Sequence, residues 1–282
     1  MAGIGGTGTG FGRPGRGVAI HSEMSRAWFL TPAVACLLIF PGAVQARRAD
    51  APWHPDIAAA RRYARRRAGV VAFAVDERGK LRGMGMRSTA PAASVFKVML
   101  LVSYLRMRHN RPLSGSDREL LGPMIRRSDS VAATTVRDIV GLARIERLAH
   151  RAHMRDFHYS PVWGLSRTSP RDQARLMYRL RSYIPGRHRR YAFYLLSHVV
   201  HSQRWGVGRV RISGWHLYFK GGWGSGSGRV DHQVALLRRG GRKLAIAVFT
   251  QFDPDHAYGK RTLRGVFGRL LRGLPATPRG HG

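Results

Sequence analysis

Residues 95–105 constrain the fold of this chain more than any other stretch. Val95, Phe96, Val98, Met99, Leu100, Leu101, Val102, Tyr104 and Leu105 are apolar on nearly every side of a helix. A helix of that kind is buried rather than laid on a surface, so other elements must wrap it. At its head stand Ser94 and Lys97, with Pro91, Ala92 and Ala93 in the place of a first helical turn. Residues i and i+3 share a helix face, so the Ser94 hydroxyl and the Lys97 amine are expected within hydrogen-bonding reach. Burial of Lys97 favours its neutral form and suits it as a base for the serine. The alternative is a lysine that snorkels out of the helix along its own stem. The pair alone does not decide between them.

The rest of the pattern supplies the wrapping. A basic helical stretch at 56–67 precedes strands at 70–76 and 81–87, joined by a turn at 77–80. Helical segments follow the buried helix at 117–124, 131–140, 142–153, 171–181 and 191–200. Strands return at 217–221, 230–238 and 243–251, the last two joined through Arg239-Gly240-Gly241-Arg242, and a helix at 262–271 closes the chain. Strands at both ends around a helical middle predict an α/β (α+β) fold. Its antiparallel sheet of about five strands is built from both termini, is flanked by helices and carries an inserted all-helical region. This domain is placed at 51–275, with a tail at 276–282.

The first 46 residues read differently. A short apolar run at 27–40 follows Arg26 and precedes Pro41-Gly42-Ala43-Val44-Gln45-Ala46. That is the layout of a signal peptide, assigned to 24–46 with a cut after Ala46, and the run is too short for a comfortable membrane span. The expectation is export, to the cell envelope or outside the cell. Residues 1–23 are read as a disordered or spurious leader before Met24. Their Gly3-Ile4-Gly5-Gly6-Thr7-Gly8 string has no strand before it and no helix after it, so it carries no dinucleotide reading. The single cysteine, Cys36, lies in the signal and rules out an intrachain disulfide.

Charge bears on partners rather than on the fold. The chain has 49 basic against 15 acidic residues, a formal +34, and only Lys80, Lys97, Lys220, Lys243 and Lys260 are lysines. Such a field attracts anionic polymers, cell-wall polymers among them. The arginines are spread along the whole chain without a recognition helix, zinc finger or aromatic RNA-binding pattern, so no specific nucleic-acid role is assigned. His150/His153 and His198/His201 have helical spacing, but no acidic or third ligand is placed near either pair. No metal and no cofactor are expected.

Two short motifs follow Ser94-x-x-Lys97 in order. Ser128-Asp129-Ser130 sits in a polar break between helical segments, and Lys220-Gly221-Gly222 ends a strand before Trp223-Gly224-Ser225-Gly226. Singly, Ser128-Asp129 reads equally as a helix cap and the glycine pair as a strand end. Taken together and in order, the three motifs resemble those of the class A β-lactamases and related penicillin-binding proteins, whose signature is S-x-x-K, S-D-N and K-T-G. The resemblance runs from about Val70 to the closing helix. It implies Ser94 as the nucleophile that becomes acylated, Lys97 as its base or proton relay, and Ser128 as the proton donor to the leaving nitrogen. It also implies Lys220 as a positive charge beside Ser128 and the substrate carboxylate, backbone N–H groups of Ser94 and Trp223 as the oxyanion hole, and Ser130 and Gly222 in substrate binding.

Three departures qualify the expectation. Ser130 stands for the asparagine of S-D-N, and Gly221 for the threonine of K-T-G, with Ser225 or Ser227 as conceivable substitutes for the lost hydroxyl. More consequentially, the resemblance calls for a glutamate on a loop between the second and third motifs to activate the deacylating water. Between Asp156 and Asp172 there is no Asp or Glu; Glu146 falls in the preceding helix, and His158 is the one candidate base in the loop. The expected activity is therefore that of a serine hydrolase forming an acyl-enzyme on Ser94 with β-lactams or acyl-D-alanyl peptides, with slow deacylation. A D-alanyl-D-alanine peptidase or transpeptidase is the neighbouring reading. A catalytically weak protein that binds peptidoglycan or anionic wall polymers is the alternative from another class. The expected partners are a β-lactam or peptidoglycan stem peptide, and the chain is expected to be a monomer.

Overall fold

The computed structural model describes residues 53–224 and 229–275. The leader, the signal segment, Cys36, Ser225, Ser227 and the tail lie outside the described residues. Helix α1 (Ile57–Ala64) leads into strands β1 (Val70–Glu77) and β2 (Lys80–Met84), then the two-residue strand β3 (Ala90–Pro91) and a 3-10 turn, Ala93–Phe96. The helical region follows as α2 (Lys97–Met107), α3 (Gly115–Arg126), α4 (Ser130–Val140) and α5 (Leu142–Arg151). Strand β4 (Arg167–Thr168) pairs with β3, and α6 (Pro170–Tyr178), α7 (Leu180–Tyr183) and α8 (Arg189–Ser197) complete the middle. The chain returns through β5 (His216–Gly224), β6 (Val230–Arg239) and β7 (Arg242–Gln251) and closes with α9 (His256–Leu270).

The main sheet runs β2-β1-β7-β6-β5 and is antiparallel throughout, so both ends of the chain contribute to it as expected. Its strands alternate between two buried faces. Ala74, Val234, Leu236, Ala245, Ala247 and Phe249 join the core around α2. Phe73, Val75, Ala235, Leu237, Ile246 and Val248 join a second core with Leu263, Val266, Phe267 and Leu270 of α9. Every residue of α2 from Lys97 to Leu105 is buried, as its unbroken apolar pattern requires.

Three local expectations are corrected. Pro91 lies on β3 rather than in a first helical turn, and Ser94 lies in the 3-10 turn, so α2 begins only at Lys97. The segment expected at 171–181 breaks after Tyr178 into α6 and α7. Helix α9 starts at His256, well before Thr262, because the Asp255 carboxylate accepts the Tyr258 N–H at 2.6 Å and caps it.

Candidate active site

The turn that carries Ser94 is held from both sides. Ala92 N–H donates to the Ser166 carbonyl at 2.7 Å. His232 of β6 is fully buried, and that burial pushes its pKa down to about 4, so the ring is neutral. Its Nδ1 accepts the Thr250 N–H at 3.3 Å, which leaves Nε2 as the donor to the Pro91 carbonyl at 3.0 Å. Ala93 adopts φ +44°, a conformation rare for alanine, immediately before the serine.

Strand β5 presses on the same turn. A methyl group on Gly222 would sit 2.8 Å from the backbone nitrogens of both Ser94 and Val95. Backbone cannot swing aside as a side chain can, so Gly222→Ala forces the strand and the turn apart. The expected cost is that of overpacking, about 1–3 kcal/mol. In a domain of this size it lowers the melting temperature by about 2–4 °C per kcal/mol, which a calorimetric scan measures directly.

Lys97, Ser128 and Lys220 meet at one hydroxyl. Lys97 Nζ donates to the Ser128 carbonyl at 2.5 Å and to Ser128 Oγ at 3.2 Å. Lys220 Nζ donates to Ser128 Oγ at 2.8 Å and to the Gly221 carbonyl at 2.7 Å. Both lysines are fully buried, and among the described residues neither forms an ion pair. Desolvation therefore pushes Lys97 down to about 8, the Asp129 charge opposing the shift. Lys220 is driven well below its ordinary value by burial and by repulsion from Lys97. The snorkelling alternative for Lys97 is excluded by this burial.

Ser128 reaches this position at φ +59°, a left-handed backbone that costs a non-glycine residue about 1–3 kcal/mol. The residue beside it performs the capping role: Asp129 accepts the Ala132 N–H at 2.8 Å and starts α4. The helix-cap reading thus holds for Asp129, while the Ser128 hydroxyl faces the two lysines. The expected direct contact between the Ser94 hydroxyl and Lys97 is not made, since among the described residues no hydrogen bond joins them. Lys97 turns instead to Ser128, where a carbonyl and a hydroxyl are offered together.

The loop from Asp156 to Asp172 uses its two acids to close its own neck. Asp156 N–H donates to Asp172 Oδ2 at 2.7 Å, Ser169 Oγ to Asp156 Oδ2 at 2.9 Å, and Arg87 pairs with Asp156 at 3.0 Å. Desolvation raises Asp172 to about 6, and repulsion from Asp156 adds to the shift. Neither carboxylate hydrogen-bonds the lysines or Ser128. What covers Lys97 is aromatic. Phe157 and Trp163 stack on Phe96 with ring centroids at 6.1 and 6.3 Å, and Tyr159 leans on it at 6.5 Å. The Trp163 ring lies 4.9 Å from Lys97 Nζ, pinned by a hydrogen bond from its Nε1 to Thr134 Oγ1 at 3.1 Å.

Other expected residues stand apart from the network. Ser130 is the exposed first residue of α4. His158 is exposed, and its backbone pairs with Arg167. At Gly221 an added Cβ would meet the Trp205 ring at 2.8 Å, so an indole occupies the place of the missing side chain. Trp223, next along β5, stands edge-on to Trp205 at 5.8 Å and borders a cavity of about 340 Å³ lined also by Asp231, Asp253 and His256. Trp163, Trp205 and His232 all escaped the sequence reading. The only signal available for Trp163 was an aromatic-rich loop lacking acids.

Comparison with known proteins bears on the whole arrangement. The profile of a family described as "Beta-lactamase enzyme family" matches residues 107–271, which include Ser128 and Lys220 and begin after Ser94 and Lys97. No curated protein sequence matches. The structure is similar to a β-lactamase from Sphaerobacter thermophilus, with TM-score 0.64 and 19% identity over 77% of this chain and 95% of that one. It is similar to PBP-A, with TM-score 0.61 and 17% identity over 77% and 97%. A class A β-lactamase from Bacteroides cellulosilyticus gives TM-score 0.64 and 13% identity over 78% and 99%. At these identities the likeness to solved structures is one of fold.

Proposed function

The chain belongs to the beta-lactamase enzyme family, and from that premise we propose that it is an exported, acyl-enzyme-forming serine hydrolase acting on β-lactams or acyl-D-alanyl peptides. The observation that carries this reading is the pair of buried lysines that share the Ser128 hydroxyl and form no ion pair among the described residues. Two buried amines without a carboxylate partner are costly, and perturbed groups of this kind cluster where proton transfer is needed.

Ser94 Oγ attacks the amide carbonyl while the neutral Lys97 amine takes its proton. The Ser94 N–H and the N–H of Trp223, the residue after the close-packed Gly222, hold the developing oxyanion. Collapse breaks the C–N bond, and the leaving nitrogen takes a proton from Ser128 Oγ, which recovers one from the lysines it touches. A substrate carboxylate beside Lys220 offsets the burial that disfavours its charge. Asp156 and Asp172 are engaged with each other's loop ends rather than offered to a deacylating water, and the Trp163 ring stands 4.9 Å from the Lys97 amine. Deacylation is accordingly slow.

A variant of PBP-A is described as an acyl-enzyme complex with penicillin G, and the shared fold supports the same adduct here. Intact-protein mass spectrometry after incubation with penicillin G tests it. The expected result is one added penicilloyl group, mapped to the Ser94 peptide, persisting for minutes or longer and absent from Ser94→Ala. An adduct that still forms in Ser94→Ala overturns the nucleophile, and rapid steady-state turnover overturns the slow second step.

A further inference from the structure

The helical region contains a cavity of about 460 Å³, a volume suited to a small ligand. It is lined by Ser103 and Arg106 of α2, by Arg144, Arg147 and Arg151 of α5, and by His109. The three α5 arginines recur at i, i+3 and i+7 and so form one stripe, from which Glu146 is absent. No carboxylate lines the cavity, and among the described residues none of the four arginines forms an ion pair.

Two of the guanidinium groups are already anchored. Arg106 donates to the Tyr183 carbonyl at 3.1 Å and Arg144 to the Val140 carbonyl at 3.0 Å. Burial and the nearby Arg151 charge both lower the pKa of Arg106, the signature of cations crowded without a counter-charge. Independently of the charges, Ser103 is 2% exposed, and its hydroxyl has no hydrogen-bond partner. A buried hydroxyl left unpaired is costly, and a ligand oxygen in the cavity would satisfy it.

A second arginine-rich cavity, of about 660 Å³ beside α6, lacks this character because Asp76 lines it among its arginines and supplies negative charge internally. The α2–α5 cavity offers guanidinium forks and a hydroxyl donor with no acid among them. Guanidinium forks match the oxygens of a multiply charged oxyanion, and phosphate carries both the charge and the acceptors to use several of them at once.

We propose that the cavity between α2 and α5 is a binding site for a phosphate oxyanion of the phosphate-ester or pyrophosphate class. It is separate from the Ser94 site and does not depend on the reading of that site.

Isothermal titration with inorganic pyrophosphate at fixed ionic strength tests it. Saturable 1:1 binding is expected. Arg144→Ala/Arg147→Ala/Arg151→Ala should weaken it about thirtyfold or more, and Ser103→Ala by about five- to tenfold. Arg62→Ala/Arg65→Ala/Arg66→Ala removes the same charge from α1 and its end, outside the cavity lining, and should weaken binding less than about threefold. Equal losses in the two triple variants, or binding that does not saturate in the unaltered protein, overturn the proposal. If the α5 triple variant fails to fold, Arg147→Ala set against Arg65→Ala carries the comparison at one charge each. A poly(glycerol phosphate) chain provides the second arm. Tighter binding than pyrophosphate, lost in the α5 variant, identifies a polymeric phosphodiester as the source; the reverse order identifies a small phosphorylated ligand.

Discussion

Lys97→Met is expected to slow acylation of Ser94 by about a thousandfold or more, the range for removing a base that activates a nucleophile, while leaving the fold intact. The side chain is fully buried, forms no ion pair among the described residues, and its amine hydrogen-bonds the carbonyl and hydroxyl of Ser128 beside the Trp163 ring. With its pKa lowered to about 8, about a tenth of the lysine is neutral at pH 7 and most of it at pH 9. Acylation by penicillin in the unaltered protein should therefore rise with pH and level off above about 8. Stability should move in the same direction. The lysine titrates at about 8 in the folded chain against 10.5 for an unperturbed lysine. Between those values the unfolded chain binds more protons than the folded one, so stability increases as pH rises through that window. Methionine matches the volume without the charge, removes the Lys97 part of that rise and spares the desolvation cost at neutral pH. Urea unfolding at pH 7 and pH 9.5 reads the stability, and stopped-flow labelling with a fluorescent penicillin reads the chemistry. Unchanged labelling in Lys97→Met, with the pH profile preserved, would transfer the base role to Lys220.

The parts of this molecule legible in the sequence are those set by local periodicity and short motifs. The β6–β7 hairpin followed from alternating apolar residues around Gly240-Gly241, and the burial of α2 from an apolar pattern with no polar face. The start of α9 did not follow, because one capping carboxylate, Asp255, sets it rather than a repeating pattern. The geometry of the Ser94 turn was also hidden. It depends on the Ser166 carbonyl and the His232 ring, which lie 72 and 138 positions away in the chain and approach only through the β3–β4 pair and β6. Lys97, Ser128 and Lys220 were legible as members of ordered motifs. The expected Ser94–Lys97 contact failed because helical spacing ignores the competing acceptors on Ser128. Trp205 escaped because nothing near it in sequence indicates that its ring fills the space beside Gly221.

Trp163→Glu should shorten the lifetime of the Ser94 acyl-enzyme by about a hundredfold or more, the contribution of a positioned general base. Trp163 is half-buried, its ring faces the Lys97 amine, and its neighbours Phe157 and Tyr159 hold Phe96 without it. Replacing the indole with glutamate vacates volume for a water and places an ionised carboxylate beside a buried amine, where the two charges favour each other. The water then has a base on one side and the ester carbonyl on the other, the arrangement the native loop lacks because Asp156 and Asp172 are spent at its neck. Trp163→Gln separates the two effects, since it opens the same space with no base. If only access limits the reaction, the glutamine and glutamate variants release the penicilloyl group at equal rates, and time-resolved intact-mass spectra will show it. If the base limits it, only the glutamate variant gains, and its deacylation rate falls as pH drops through the titration of the new carboxylate. No gain in either variant would mean that Trp163 does not set the rate of the second step.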